Sequence, residues 1–313
     1  MKNIKQQKKQ SHYCLIVNQT ATNYNKSYIK KLTTAIRKQG DSYTVFEPDT
    51  AFGLLNTALK TVGIKKWHKD VPKTFLQRGK VTTLVACGGD GTVNLVGRAG
   101  LKANIPVGIL PMGKFNNIAK SLHKDITEDS AIKNILKGEL KKIDVGLVGD
   151  QIFLGSAGLK FTPEMQKQMA LSSLSRFAFR WGQNAGKAVD GVKSSSLVVK
   201  IDAFRFEIKP TILNINLLSH SVGIPISPTS IPNDNHAEII VDFHNNKKNV
   251  AQFIRQLYKE KYIFNDEFKL FRGRHISIQP VQDEILYLDG ELIPLPNDVL
   301  DITLLDEQLQ VIC

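Results

Sequence analysis

The stretch that decides the fold runs from residue 81 to residue 122 and reads VTTLVACGGDGTVNLVGRAGLKANIPVGILPMGKFNNIAKSL. It opens on an apolar run rich in β-branched residues, as expected of a buried parallel strand. A glycine turn follows at residues 88–92, and a helical pattern comes after it. A second apolar run, at residues 107–110, leads into a polar turn and another helical pattern. This repeat predicts a doubly wound α/β sheet, in which ligands bind at the carboxyl ends of the strands.

The glycine turn has the chemistry of an anion cradle. Gly88, Gly89 and Gly91 let the backbone turn tightly and approach a ligand, and amides at the next helix N-terminus point at an arriving anion. Asp90 would repel a bare phosphate, so it suits a metal-bound phosphate or a ribose hydroxyl. Asp-Gly is also a strong hairpin signal, but the helical pattern after Thr92 favours the strand-turn-helix interpretation.

Two motifs together resemble those of the diacylglycerol kinase catalytic-domain family, which includes bacterial lipid kinases, sphingosine kinases and ceramide kinases. The first is Gly-Gly-Asp-Gly-Thr-Val-Asn at residues 88–94, and the second is a Leu-Pro-x-Gly-x-x-Asn-x-x-Ala turn at residues 110–119. NAD kinases share the first motif without the second, which disfavours a kinase of a soluble metabolite. The resemblance implies an ATP- and Mg²⁺-dependent lipid kinase that phosphorylates a hydroxyl of a diacylglycerol- or sphingoid-like lipid.

The resemblance also implies roles for individual residues. Asp90 and Asp144, the latter in an Ile-Asp-x-Gly segment, would organise Mg²⁺ directly or through waters. Glu291, in the Asp-Gly-Glu motif, is the implied base, so Asp90 and Glu291 are the candidate catalytic residues. Spacing alone leaves Asp144 open as an ordinary turn acid. The implied nucleotide-binding residues come from three turns and are Asn18, Thr20, Gly88, Gly89, Asp90, Gly91, Thr92, Gly113, Lys114 and Asn116.

The chain departs from the family at positions that bear on the chemistry. After the first strand, only Asn18 matches the usual phosphate-contacting turn. Leu95 stands where glutamate is usual, Lys114 and bulky Phe115 occupy the second motif, and Asn117 replaces an acid. Two carboxylates are therefore missing near the expected metal and acceptor region. These departures keep a second hypothesis open, namely a catalytically weak or inactive kinase-like protein that binds nucleotide or lipid in a regulatory role.

The order of patterns along the sequence predicts two domains. Residues 1–143 are expected to form the nucleotide-binding α/β domain, with residues 1–10 disordered. From Leu197 onward the hydrophobic pattern alternates, which predicts an antiparallel β-sandwich domain over residues 144–305. The resemblance implies that residues 306–313 return to the first domain. The substrate site is expected in the cleft between the two domains.

Charge and hydropathy bear on partners and compartment. The formal net charge of +13 favours anionic partners, meaning nucleotide phosphates, acidic lipid headgroups or nucleic acid. No apolar run reaches ~18 residues and the N-terminus lacks the apolar middle of a signal peptide, so a cytoplasmic protein is expected. The lysines around Trp67 and the arginine-aromatic stretch at residues 176–181 suggest peripheral contact with an anionic inner membrane face. The favoured interpretation of the first is a solvated helix end with one packed aromatic, and that of the second is the interdomain helix that the resemblance implies. Nucleic acid is not expected as a partner, and a homodimer is left open.

Overall fold

The structure is a computed structural model, and it describes residues 10–67, 81–160, 195–242 and 268–313, with the exception of residues 283 and 296. The sequence pattern also predicts helices over residues 163–189 and 249–259. Both segments lie outside the described residues, as do residues 1–9 of the predicted disordered tail. Among the helices in the described ranges, none is long and apolar enough to cross a membrane.

The first sheet belongs to an α/β domain. Its strands are β1 (His12–Val17), β2 (Ser42–Phe46), β3 (Thr83–Gly88), β4 (Val107–Pro111), β5 (Leu140–Ile143) and β18 (Leu309–Ile312). They are arranged in the order β2-β1-β3-β4-β18-β5. Strand β3 is buried along its whole length, as its continuous apolar run predicts. Strand β18 pairs in parallel with β4 and antiparallel with β5, so the last strand of the chain lies inside the first sheet.

Helices cover both faces of this sheet. They are α1 (Lys26–Lys38), α2 (Ala51–Thr61), α3 (Asp90–Ala103), α4 (Asn117–Leu122) and α5 (Glu128–Lys137). Apolar residues of α2 and α3, such as Leu54 and Val96, pack in one cluster against the sheet. Those of α1 and α5, such as Leu32 and Ile135, pack in a second cluster on the opposite face. This is the predicted doubly wound arrangement, and α3 excludes the hairpin interpretation of the glycine turn.

The remaining strands form two antiparallel sheets. These strands are β6 (Gly146–Val148), β7 (Gln151–Phe153), β8 (Ser156–Leu159), β9 (Leu197–Ile201), β10 (Phe204–Ile208), β11 (Leu213–Asn216), β12 (Ala237–Asp242), β13 (Phe268–Gly273), β14 (His275–Gln279), β15 (Ile285–Leu288), β16 (Glu291–Pro294) and β17 (Leu300–Leu304). The second sheet has the order β10-β9-β14-β17-β6-β7, and the third has the order β13-β12-β11-β8-β15-β16. Val199 of the second sheet and Ile215 of the third lie in one buried cluster, so the sheets pack face to face as the predicted sandwich.

One strand prediction is wrong in a way that matters for the site. The sequence pattern predicts a single strand over residues 151–156, whereas the chain forms β7 in the second sheet and β8 in the third. The break lies at Leu154 and Gly155, whose backbone amides donate hydrogen bonds to the carboxylate of Asp289. A partner far along the chain therefore turns the backbone from one sheet to the other, and a local pattern does not contain that information.

Candidate active site

A cleft of about 540 Å³ opens where the α/β domain meets the β sandwich. Strands β1, β3 and β4 end beside it, so it lies at the carboxyl edge of the parallel strands, as predicted. The hairpin turn at residues 289–291 closes it from the sandwich side. The cleft brings together most of the residues predicted from the sequence: Asn18, Thr20, Gly89, Asp90, Gly91, Thr92, Gly113, Lys114 and Glu291.

The two glycine-containing turns touch at the bottom of the cleft. A Cβ atom added to Gly113 would collide with the backbone of Gly89. A Cβ atom added to Gly91 would come within 3.2 Å of Oε1 of Glu291. Gly88 does not line the cleft, and a Cβ atom there would collide with the side chain of Thr92. Gly88, Gly89 and Gly113 thus let the turns pack closely, and Gly91 leaves room for the carboxylate of Glu291.

Asp90 joins the two turns. Its Oδ2 accepts hydrogen bonds from the backbone N of Asn117 at 3.0 Å and from Nδ2 of Asn117 at 3.1 Å. Its Oδ1 accepts one from the backbone N of Ile118 at 2.9 Å. Burial raises the pKa of Asp90 to about 6, while the two backbone hydrogen bonds and the charge of Lys120 act in the opposite direction. The carboxylate therefore connects the N-termini of α3 and α4 and fixes their relative position.

We expect the contribution of Asp90 to stability to decrease as the pH rises. Its pKa is about 6 in the folded protein and ordinarily 3.8, so between these values the folded state holds a proton that the unfolded state has lost. The free energy of unfolding should fall as pH rises through this window and should not change further, from this group, at higher pH.

The measurement is denaturant unfolding from about pH 4 to about pH 7.5 on the wild type and on Asp90→Asn. The free energy of unfolding of the wild type, relative to that of the variant, should fall with pH across this window, because the variant lacks the titrating carboxyl group. Parallel curves would contradict the assignment.

Asn117 links this arrangement to the sandwich. Its Oδ1 accepts a hydrogen bond from the backbone N of Gly223 at 2.8 Å, in the segment between β11 and β12. A Cβ atom at Gly223 would lie 2.7 Å from the ring of Phe115. A carboxylate at position 117 would put a second negative charge at the 3.1 Å contact with Asp90. The departures from the family at Phe115 and Asn117 therefore build a contact between the two domains.

Glu291 is exposed and lies directly after a tight hairpin turn. Asp289 and Gly290 have φ values of 47° and 105°, as a type I′ turn requires. Oε1 of Glu291 faces Gly91 at the start of α3. Among the described residues, no protein hydrogen bond engages the carboxylate of Glu291. Glu291 is therefore the cleft carboxylate that is available to a substrate.

Arg98 is a site residue that the sequence analysis missed. It lines a small recess together with Gly91, Leu95 and Glu291. Its Nε donates a hydrogen bond to Oδ1 of Asn94 at 3.0 Å. Burial lowers the pKa of Arg98, and the carboxylates of Glu291 and Asp289 oppose this change. The spacing of residues 91, 94, 95 and 98 places all of them on one helix face, and this signal was available in the sequence.

Asp289 is a second missed residue, and its role is structural. Its carboxylate accepts hydrogen bonds from the backbone amides of Leu154, Gly155 and Ser156 at 2.6, 2.8 and 3.0 Å. Nδ2 of Asn94 donates a further one at 2.9 Å. Burial raises the pKa of Asp289, and these hydrogen bonds lower it. Asp289 therefore holds the hairpin that carries Glu291 against both domains.

Besides Gly88, two predicted residues lie outside the cleft lining, Asn116 and Asp144. Asp144 follows β5 and is 1% exposed, and its carboxylate accepts hydrogen bonds from the backbone N of Asn235 and from Nε2 of Gln308, both at 2.7 Å. The structure therefore does not place Asp144 in one metal site with Asp90. Asp144 is buried where the chain passes from the first domain to the second. Asn116 closes its own loop, accepting from the backbone N of Gly113 at 2.8 Å and donating to its carbonyl oxygen at 3.0 Å.

The first turn and Lys114 both line the cleft. Oδ1 of Asn18 accepts hydrogen bonds from the backbone N and the hydroxyl of Thr20, and its Nδ2 donates to the hydroxyl of Thr92 at 3.1 Å. Asn18 thereby connects the first turn to the glycine turn. Lys114 is exposed, and its ammonium group lies 5.6 Å from the ring centroid of Phe115. Contact of either group with phosphate stays a prediction.

The carboxylates of the cleft set limits on how magnesium could bind. Asp90 and Asp289 use their oxygen atoms for protein hydrogen bonds, which leaves Glu291. In the described part of the chain, no group of three or more His, Cys, Asp or Glu residues could hold a metal ion. Mg²⁺ usually keeps several waters and binds through one or two carboxylates together with substrate phosphates. The residues present therefore fit an ion that arrives with the nucleotide.

Comparison with known proteins agrees with this architecture. Residues 12–148 match the model of the family described as the diacylglycerol kinase catalytic domain. The chain is 25% identical over 224 residues to a diacylglycerol kinase of Bacillus subtilis strain 168, a match that covers 66% of this chain and 70% of that protein. It is 22% identical over 212 residues to a diacylglycerol kinase of Staphylococcus saprophyticus, with the same coverage of 66% and 70%.

A solved structure shows the same fold. The crystal structure of a diacylglycerol kinase from Bacillus anthracis strain Sterne has a TM-score of 0.71 and 17% sequence identity, and the match covers 98% of each chain. The match of residues 12–148 to the model confirms the resemblance to the diacylglycerol kinase catalytic-domain family that the two motifs predicted. The family match and these relatives confirm the predicted class of enzyme, a lipid kinase.

Proposed function

We propose that this protein transfers the terminal phosphoryl group of ATP to a hydroxyl of a diacylglycerol- or sphingoid-like lipid. One observation carries the proposal: the glycine turn and Glu291, which come from different domains, meet in the same cleft, with Oε1 of Glu291 facing Gly91. An anion cradle beside an available carboxylate is what transfer from a nucleotide to an alcohol requires. The match of residues 12–148 to the model of the diacylglycerol kinase catalytic domain supports the same reaction.

Each part of the cleft has a role in this reaction. The amides at the N-terminus of α3, together with Lys114, would bind the nucleotide phosphates. Magnesium, when bound, would neutralise charge on those phosphates. Glu291 would accept the proton of the acceptor hydroxyl. At the same step the oxygen of that hydroxyl would bond to the terminal phosphorus, and ADP would leave. Asp90 and Asp289 would hold the turns in place, since both are buried and hydrogen-bonded to backbone amides.

The test is incubation of the purified protein with radiolabelled ATP, Mg²⁺ and a panel of extracted lipids. Label transferred to a lipid, and lost when Mg²⁺ is chelated, is the expected result. Leu95 in the cleft lining and Asn117 beside Asp90 favour a second candidate function, a regulatory protein that binds nucleotide or lipid without turnover. That alternative predicts nucleotide binding with no labelled lipid.

Lys114 provides a prediction about nucleotide affinity. Lys114→Thr restores the residue usual in the family and removes an exposed cation from the cleft. Binding of a non-hydrolysable ATP analogue with Mg²⁺ should weaken by about 1–3 kcal/mol, the scale of a charge-assisted hydrogen bond. Titration calorimetry measures this, and Lys124→Thr is the matched control because Lys124 is exposed and does not line the cleft. Equal affinities for Lys114→Thr and the wild type would remove Lys114 from the phosphate site.

We infer that the protein meets its acceptor lipid at an anionic membrane surface. The net charge of +13 supports this, and Lys65 and Lys66 are exposed. Trp67 is not available as an anchor, because it packs beside Arg98 and its Nε1 donates a hydrogen bond to the carbonyl oxygen of Asp150 at 3.0 Å. Binding to vesicles should increase with anionic lipid content and decrease with salt, which screens exposed charges beyond ~10 Å at 0.1 M. Equal binding to neutral and anionic vesicles would contradict the inference.

A further inference from the structure

Arg98 brings a positive charge to the recess that adjoins the cleft. Four residues, with Asp289 and Glu291 among them, line both spaces. Glu291 and Gln151, which line the recess, are exposed, and Arg98 itself is half-buried. The recess holds about 20 Å³, which is room for one water-sized group. A single oxygen atom of a ligand in the cleft can therefore enter the recess and meet the guanidinium group.

The surrounding contacts orient the guanidinium group of Arg98. Its Nε donates a hydrogen bond to Oδ1 of Asn94 at 3.0 Å. Nδ2 of Asn94 in turn donates to the carbonyl oxygen of Ile152 at 2.7 Å and to Oδ2 of Asp289 at 2.9 Å. The guanidinium carbon lies 5.6 Å from the ring centroid of Trp67. These contacts use Nε and one face of the group, and they leave its two terminal amino groups for other partners.

The terminal amino groups of Arg98 are not paired within the protein. Among the described residues, neither a hydrogen bond nor an ion pair engages them, although Glu291 lines the same recess. A partly buried charge without a partner is unfavourable. A guanidinium group matches the oxygens of a phosphate or a carboxylate in a two-bond arrangement. The recess therefore presents donors for an anion beside the candidate base.

The charges around the recess also favour an anion. Leu95 lies one turn before Arg98 on the same face of α3 and lines the recess with it, but it is apolar where the family usually has glutamate. A carboxylate there would pair with Arg98 and repel an anionic ligand. Lys65 and Lys66 are exposed beside Trp67, whose ring lies against Arg98. Positive charge thus extends from the surface to the recess.

We propose that Arg98 binds the phosphate group of an acidic acceptor lipid, a group only a few bonds from the hydroxyl that is phosphorylated. This inference rests on the proposed function and names a substrate class within it. The separation is short because Arg98 and Glu291 line one recess of the size of a water molecule. A plain diacylglycerol has no anionic group for Arg98. A lipid whose headgroup carries both a phosphodiester and a hydroxyl does.

The experiment compares two acceptor lipids that differ in charge. One is phosphatidic acid esterified with ethylene glycol, which has a single hydroxyl close to an anionic phosphodiester. The other is its methyl phosphotriester, which is neutral. In neutral detergent micelles, the wild type should prefer the anionic lipid in kcat/KM by about 10- to 100-fold, the scale of hydrogen bonds to a charged group.

Substitutions at Arg98 test the origin of this preference. Arg98→Gln should reduce it to within about threefold, because glutamine keeps a donor and loses the charge. Arg98→Lys keeps the charge without the planar fork and should retain an intermediate preference, which gives a second readout if Arg98→Gln folds poorly. Arg205→Gln is the matched control, since Arg205 is exposed and lines neither space, and it should keep the full preference.

A binding measurement separates this proposal from the proposed function. Without nucleotide, a short-chain, water-soluble form of the anionic lipid should bind the wild type in titration calorimetry, and the affinity should fall about tenfold or more in Arg98→Gln. If it binds in this way and neither lipid is phosphorylated, the proposed function fails while the site at Arg98 stands. Equal use or equal binding of the two lipids by the wild type would overturn the assignment of Arg98. A loss of activity in Arg98→Gln that is the same for both lipids would also overturn it, because Arg98 would then act through Glu291.

Discussion

Glu291→Gln should lower the rate of lipid phosphorylation by about 10²- to 10⁴-fold, the contribution typical of a positioned general base. Glutamine has nearly the same shape and keeps a hydrogen-bonding oxygen, but it cannot accept the proton of the acceptor hydroxyl. The effect should appear in kcat rather than in the affinity for nucleotide, because the phosphates are expected to bind at the α3 N-terminus and not at Glu291. Steady-state kinetics with the best lipid of the panel, combined with nucleotide calorimetry, measures both quantities.

The folded state should tolerate this change. Glu291 is exposed, so the free energy of unfolding should change by less than about 0.5 kcal/mol. Glu47→Gln is the matched control, because Glu47 is exposed, follows β2 at the same end of the first sheet and does not line the cleft. A Glu291→Gln variant that keeps most of its activity would show that the proton leaves by another route.

Asp90→Ala is expected to reduce stability as well as activity. The substitution removes the acceptor of the backbone amides of Asn117 and Ile118, which are buried. An unpaired buried donor costs about 1–3 kcal/mol, so a loss of about 2–4 kcal/mol in the free energy of unfolding is expected. Because α4 would lose its attachment to the glycine turn, phosphoryl transfer should also fall. Denaturant unfolding and kinetics on the same preparation measure the two effects.

A reciprocal exchange distinguishes the structural role from a chemical one. In the double variant Asp90→Asn with Asn117→Asp, an amide and a carboxylate still face each other, and an oxygen at position 117 can still accept from Gly223. The exchange should therefore recover part of the stability that Asp90→Ala loses. Recovery of stability without activity would mean that the carboxylate itself must stand at position 90. An Asp90→Ala protein as stable as the wild type would contradict the linking role.

The parts of the site that follow from local sequence were predictable. The strand-turn-helix pattern places Gly89 and Asp90 at a helix start, and the order of motifs brings Glu291 to the same cleft. What a side chain does inside the turn was not predictable. Asn116 closes its own loop, and Asp144 is enclosed by Asn235 and Gln308. In each case the deciding partner is either a backbone atom within the turn or a residue far along the chain.

Asp289, which sequence reasoning missed, shares this property with Asn117. Asp289 depends on three amides more than 130 residues away, and the contact of Asn117 with Gly223 spans 106 residues. Hydropathy patterns report which face of an element is buried, but not which polar atoms meet inside. Arg98 is different, because its position on one face of α3 with Gly91 was present in the sequence.

The position of β18 has a consequence for how this protein acquires its shape. The chain leaves the first sheet after β5, forms the sandwich, and then returns to place β18 between β4 and β5. Until β18 arrives, β4 and β5 both present unpaired edges, which are prone to incorrect association. During synthesis from the N-terminus, the sheet that carries the nucleotide cleft is therefore completed after the sandwich strands have been made. The sheet of the α/β domain therefore needs chain from both sides of the sandwich, whereas the strands of the sandwich are contiguous in the sequence.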